Sequence, residues 1–166
     1  MTSRNPRTCK NYERLWKGRC VDKNLQDTWL EELNRLKMLE LISICEGHSE
    51  IPTYRPRAFA HISLRFNTAA TRRLTPQWDQ LKNETVQAVD SIFSTEKSRI
   101  KFVYNVSIRK GFLPLRSSTR IVLRIQSKEP RLTKVLDPKA SRWFEEVILQ
   151  VKKFDSFLQI LRPDNS

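Results

Sequence analysis

Glycine and long apolar runs are both scarce in this chain. Only three of its 166 residues are glycine, which leaves no room for a long flexible linker. No apolar run approaches the roughly 18 residues that a membrane-spanning helix needs, so we expect no membrane association. The basic residues near the N-terminus are not followed by an apolar stretch. The sequence therefore predicts no secretory signal and a cytoplasmic location.

Cysteines and acidic residues are also few. The three cysteines, Cys9, Cys20 and Cys45, cannot all pair with one another, and free thiols are the expected state in a cytoplasmic protein. Against 18 acidic residues stand 31 basic ones, a net charge of +13. This excess points to RNA, a nucleotide or another phosphate-bearing ligand as partner. A generally solvated basic surface is the simpler alternative.

The apolar residues that are present fall into helix and strand patterns. We expect one helix to open at Asn24, a second at Thr75 and Pro76, and a long third helix between Asp137 and Pro163. Alternating apolar residues predict four strands, at 41–46, 58–67, 100–109 and 119–126.

This order predicts an α+β fold, α-β-β-α-β-β-α, with one mainly antiparallel four-stranded sheet. One-sided alternation indicates that the helices cover a single face of the sheet and leave the other face wet. The chain is then a basic arm, residues 1–24, followed by a single domain, residues 25–166. Residues 43–48 align with residues 107–112, each ahead of a similar strand, so the pattern also indicates a duplicated helix–hairpin unit.

Positive charge is concentrated on the predicted strands and loops. Residues 97–134 hold 11 basic residues and one acidic residue, whereas residues 25–53 and 74–96 are net negative. If the helices cover one face of the sheet, the other face is electropositive.

Strand parity selects candidate anion ligands on that wet face. Placing Cys45 opposite His61 puts Ser43 opposite Ser63, and the equivalent register in the second hairpin puts Arg109 opposite Arg120. Two facing arginines repel each other unless an anion lies between them. Parity therefore predicts phosphate contacts from Arg65, Arg109, Arg120 and Arg124.

The segment Cys45-Glu46-Gly47-His48 carries a thiol, a carboxylate and an imidazole, with His61 expected nearby. Three interpretations stay open. Imidazoles beside Cys45 would lower its pKa and make it a nucleophile. Alternatively, Cys45, His48 and His61 would bind zinc, with Glu46 as a general base. In the third interpretation, Cys45 is a packed strand residue and the histidines are ordinary loop residues.

The loop after this segment places Tyr54 between basic residues. Tyr54 would stack on a base while Arg55 and Arg57 hold phosphates, or it would simply anchor the loop. The sequence has no glycine-rich phosphate loop, no paired metal carboxylates and no serine-hydrolase elbow, so it identifies no cofactor.

The segment from Ser43 to His48, Ser-Ile-Cys-Glu-Gly-His, resembles a motif in small uncharacterised α+β proteins. It also distantly resembles the Ser-Cys-Ser-Gly-Arg turn of the wybutosine-synthesis methyltransferases, which modify tRNA. This resemblance implies an RNA-linked function near Cys45 and His48.

Taken together, these patterns favour an RNA- or nucleotide-binding protein that uses a basic open sheet face, with an RNA-modifying enzyme as its catalytic form. A zinc-dependent hydrolase built on Cys45, His48 and His61 is the second hypothesis. A non-catalytic module that binds an acidic protein partner is the third.

Overall fold

The fold combines a small N-terminal hairpin with a four-stranded sheet and helices. It is seen in a computed structural model that describes residues 9–10, 12–47, 59–93, 96–106, 119–130 and 138–164. The strands are β1 (Glu13–Trp16), β2 (Arg19–Asp22), β3 (Leu39–Cys45), β4 (Phe59–Phe66), β5 (Ser98–Val106) and β6 (Thr119–Pro130). The helices are α1 (Asp27–Asn34), α2 (Thr68–Leu74), α3 (Trp78–Phe93) and α4 (Pro138–Ile160).

The main sheet confirms the predicted architecture. Its strand order is β3-β4-β6-β5, and every neighbouring pair is antiparallel. A helix precedes each hairpin, and the 23-residue α4 closes the described chain. The α+β class, the antiparallel four-stranded sheet and the long C-terminal helix are therefore as the sequence predicts, whereas the separate two-stranded sheet of β1 and β2 was not predicted.

Aromatic contacts show that the helices share one face of the sheet. Phe66 of β4 meets Trp78 of α3 edge to face with ring centroids 6.0 Å apart, and Phe102 of β5 meets Phe154 of α4 at 6.5 Å. Between the two central strands and this helix layer, four side chains are almost fully buried: Ile62, Leu64, Leu123 and Ile125. Large apolar side chains on alternate strand positions thus define the core face.

Two helix starts differ from the prediction. The first helix begins at Asp27, and the Asn24 side chain instead donates to Glu46 Oε1 at 3.2 Å. A 3₁₀ turn, Thr75–Gln77, occupies the predicted start of the second helix, which begins at Trp78. Each candidate cap thus lies just before its helix.

Helix α2 was not predicted from the sequence. It is capped by Asn67, whose side-chain oxygen accepts from the Ala70 N–H at 2.9 Å. An asparagine directly after an alternating strand was the available signal for this helix start.

A buried carboxylate fixes the start of β3 against α4. The two Asp155 oxygens accept three backbone N–H groups, from Lys37 at 3.0 Å, Met38 at 2.8 Å and Leu39 at 3.1 Å. The side chain is only 4% exposed. Because the carboxylate accepts hydrogen bonds from these three consecutive N–H groups, it fixes the turn that leads into β3.

The predicted basic arm contains structure of its own. Strands β1 and β2 form an antiparallel hairpin, and Cys9 and Cys20 form a disulfide across it, with Cα atoms 5.4 Å apart. The expectation of three free thiols is therefore wrong for this pair, because the hairpin brings two sulfurs that are distant in sequence into bonding position. No helix in the described ranges has the length and apolarity to span a membrane.

Candidate anion-binding face

The sheet face opposite the helices carries the candidate site, and we call it the open face. Register and alternation place two or more residues of each strand on it. They are Glu40, Ser43 and Cys45 of β3; His61, Ser63 and Arg65 of β4; Arg120, Val122, Arg124 and Gln126 of β6; and Arg99, Lys101, Val103 and Asn105 of β5.

Arg65 is already engaged on this face. It lies opposite Glu40, and its Nε and a terminal nitrogen donate to the two Glu40 oxygens at 3.1 and 3.0 Å. The hydrogen bond from Arg65 holds the pKa of the Glu40 carboxyl below its ordinary value, and the carboxylate raises the pKa of Arg65. Arg65 therefore lies on the predicted face, but its fork of donors faces a carboxylate of the same chain.

The Cys45–His61 pairing is confirmed, and its predicted chemistry is not. Cys45 lies directly opposite His61, with Ser43 opposite Ser63. Burial, and next the nearby Asp22 carboxylate, raises the pKa of the Cys45 thiol to about 12. This direction is opposite to the lowering that the nucleophile interpretation requires, because the thiol faces carboxylates in a poorly solvated position. His48, the other imidazole of that interpretation, lies outside the described residues.

Glu46 belongs to the junction between the small hairpin and the main sheet. It is 4% exposed, its backbone N–H donates to Asp22 Oδ2 at 2.8 Å, and its side chain accepts from Asn24. The residue thus joins the end of β3 to the end of β2, and its role as a general base stays a prediction.

The zinc interpretation depends on a residue outside the described ranges. His48 is not described, and within the described ranges neither Cys45 nor His61 belongs to a group of three donors within 4.8 Å of one another. The group that meets this distance comprises Cys9, Glu13 and Cys20, and its two sulfurs form the disulfide. Zinc binding by Cys45, His48 and His61 therefore stays a prediction.

The β5 and β6 side of the face carries four cations, Arg99, Lys101, Arg120 and Arg124, which we call the cationic half. Lys101 lies directly opposite Arg124 in neighbouring strands. None of the four has an ion pair or a hydrogen bond from its side chain to any part of the described chain. Facing like charges cost roughly 0.2–1 kcal/mol when nothing lies between them.

The predicted arginine pair is corrected by the register of the second hairpin. Asn105, and not Arg109, lies opposite Arg120. Compared with the first hairpin, the strand pairing is shifted by four residues, so the alignment of residues 107–112 with 43–48 does not carry over to register. Two cations still face each other, but they are Lys101 and Arg124.

Several predicted residues cannot be placed. His48, Tyr54, Arg55, Arg57 and Arg109 lie outside the described ranges. In contrast, Arg99 and Lys101 were missed as candidates. The alternation that puts Ile100 and Phe102 on the core face already sends both to the open face.

Comparison of the chain with family models, curated proteins and solved structures finds no match.

Proposed function

We propose that the protein binds RNA through its phosphate groups on the cationic half of the open face. The observation that carries this proposal is the facing pair Lys101 and Arg124, flanked by Arg99 and Arg120, with no counter-ion in the described part of the chain. A phosphate between such a pair replaces repulsion by two charge-assisted contacts and releases the counterions condensed on the nucleic acid.

The rest of the molecule supports this choice of surface. Several basic side chains elsewhere are paired within the fold, among them Lys17 with Glu31 at 2.7 Å and Lys97 with Glu146 at 3.5 Å. The resemblance of Ser43–His48 to tRNA-modifying enzymes favours RNA over other phosphate-bearing ligands. An acidic protein partner would use the same charges, and it is an outcome that the experiment separates.

The experiment measures affinity for a single-stranded RNA at several salt concentrations. In the variant Lys101→Gln/Arg124→Gln, the slope of log affinity against log salt should fall by about 1.4, since each contact to single strands contributes about 0.7. The matched control is Arg142→Gln/Lys153→Gln, which removes the same two residue types from exposed positions of α4.

An equal loss of slope in both variants would show that the overall charge binds RNA and the cationic half does not. If the wild-type protein fails to bind RNA even at low salt, the proposal is wrong. Binding of a polyglutamate chain with higher affinity than RNA would favour the acidic partner instead.

A further inference from the structure

Ser43 and His61 form a close polar pair on the open face, next to the cationic half. Ser43 Oγ lies 3.3 Å from His61 Nε2, and the two residues lie on neighbouring strands β3 and β4. Both are partly buried, so the pair is shielded on one side and reachable on the other. A hydroxyl within hydrogen-bond reach of an imidazole nitrogen is the first requirement of a serine nucleophile activated by a general base.

The backbone is irregular at the serine. The register of β3 against β4 shifts between Leu41 and Ser43, and the intervening Ile42 is 47% exposed, although it is a large apolar residue. A bulge of this kind bends a strand and re-aims the side chains beside it, and bulges are over-represented next to active sites. Here the bulge directly precedes the residue whose hydroxyl meets His61.

Ser43 also shares a row with the two facing cations. From β3 to β5 this row runs through Ser43, Ser63, Arg124 and Lys101. Neighbouring strands are about 4.8 Å apart, so the backbone of Arg124 lies about 10 Å from that of Ser43. A phosphate held by Arg124 would therefore lie within about two strand spacings of the serine.

We propose that Ser43 is a nucleophile and His61 its general base, and that the pair cleaves phosphoesters. The choice of phosphoesters as the substrate class rests on the proposed function; the nucleophile–base pair itself does not. In the first step the Ser43 Oγ–H proton moves to His61 Nε2, an Oγ–P bond forms and the ester P–O bond breaks. The departing alkoxide takes the proton back from His61. Water then attacks the phosphorus while His61 accepts its proton; the Oγ–P bond breaks, and His61 returns the proton to Ser43 Oγ, which releases phosphate and restores both residues.

A fluorophosphonate tests the pair without knowledge of the natural substrate. The reagent forms an Oγ–P bond with an activated serine, and fluoride leaves while His61 holds the proton. Mass spectrometry of the labelled protein should locate the adduct on Ser43. Labelling should fall by roughly 100-fold or more in His61→Gln, the scale of a lost general base, and vanish in Ser43→Ala.

Two controls separate activation from exposure and from misfolding. Ser63→Ala removes the neighbouring hydroxyl that lies opposite Ser43 and is 6% exposed, and it should label like wild type. The exposed serines Ser91 and Ser156 of the helices are internal references for unspecific reaction. Circular dichroism spectra of the variants should match that of wild type.

Absence of an Ser43 adduct in the folded protein, or equal labelling of wild type and His61→Gln, would overturn the pair. RNA binding of the same preparations is measured in parallel. RNA binding without labelling rejects the reactive pair and leaves the proposed function standing. Labelling without RNA binding supports the pair and rejects RNA phosphoesters as its substrate.

Discussion

The two hairpins of the main sheet present very different chemistry on the same open face. The β3–β4 side, which we call the polar half, carries Glu40, Ser43, Cys45, His61 and Arg65, with its carboxylate and guanidinium bonded to each other. The cationic half on β5 and β6 carries Arg99, Lys101, Arg120 and Arg124 without a carboxylate among the described residues of those strands' open face. In the polar half a carboxylate and a guanidinium neutralise each other, whereas the four cations of the cationic half have no such partner among the described residues.

This difference indicates a division of tasks within one surface. Charges that neutralise each other, as Glu40 and Arg65 do, are available to a ligand only if their mutual bonds are broken. Facing cations gain from any anion that comes between them. In the function that we propose, attraction of RNA falls to the cationic half, and groups that act at short range lie on the polar half.

The largest effect that tests this comparison concerns Cys45. With the pKa of the thiol raised to about 12, its thiolate fraction at neutral pH is on the order of 10³-fold lower than that of an ordinary cysteine. Iodoacetamide should therefore alkylate the native protein at least that much more slowly than the urea-unfolded protein. Mass spectrometry of the alkylated protein measures both rates.

The same measurement checks the disulfide. Without reductant, the unfolded protein should take up a single alkyl group, at Cys45, because Cys9 and Cys20 are bonded to each other. Rapid alkylation of native Cys45 would mean that burial and the nearby carboxylates do not raise the pKa of its thiol. Uptake of three groups would contradict the disulfide.

A second prediction concerns a variant that gives the cationic half a carboxylate like the one in the polar half. Gln126 lies between Arg99 of β5 and His61 of β4. In Gln126→Glu a carboxylate can pair with Arg99 as Glu40 pairs with Arg65, and it repels phosphate. RNA affinity at about 0.1 M salt should fall roughly tenfold, equivalent to about 1.4 kcal/mol.

Its control makes the same substitution in the helix layer. Gln80 is exposed on α3, so Gln80→Glu changes the net charge equally without touching the open face. Filter-binding or anisotropy titrations compare the two variants with wild type. Equal losses of RNA affinity in the two variants would show that RNA binding depends on net charge and not on the open face.

Much of this face could be predicted from sequence, because strand parity depends only on local alternation. Alternation placed Arg65, Arg120 and Arg124 away from the core, and the register assumed for the first hairpin, with Cys45 opposite His61, is the one observed. Parity does not fix which residues face each other when both candidate registers keep the apolar side chains inside. A shift of four residues preserves parity, and for this reason Asn105 and not Arg109 lies opposite Arg120.

The charged neighbours of each site residue could not be predicted from the sequence either. Glu40 lies 25 positions from Arg65, and the carboxylate of Asp22 comes near Cys45 only because the small hairpin packs against the end of β3. Long-range contacts of this kind set pKa values and decide which cations stay unpaired. The residues close to Cys45 in sequence predict a lowered thiol pKa, because they include an imidazole. They do not include Asp22, whose carboxylate raises that pKa in the fold.

The smallest expected effect is on stability, and its sign differs between the two halves. Removing the Lys101 charge with Lys101→Gln relieves the repulsion from Arg124, so the free energy of unfolding should rise by about 0.2–1 kcal/mol. Glu40→Gln removes the partner of Arg65, a pair that is partly exposed to solvent. There the free energy of unfolding should fall by about 0.2–1 kcal/mol.

Urea denaturation at two salt concentrations decides whether these signs come from charge. At about 0.01 M salt the screening length is about 30 Å and both effects should be fully expressed, whereas at about 1 M it is about 3 Å and both should shrink. The carboxyl of Glu40 has a lowered pKa in the folded protein. Its stabilising contribution is thus present above the unfolded pKa and lost as the pH falls through the folded pKa. The penalty of Glu40→Gln should therefore disappear in acid, while the gain of Lys101→Gln should persist, because the repulsion that it relieves involves no carboxyl group. A destabilising Lys101→Gln at low salt would show that the facing cations do not repel each other, and the contrast between the two halves would then lose its electrostatic basis.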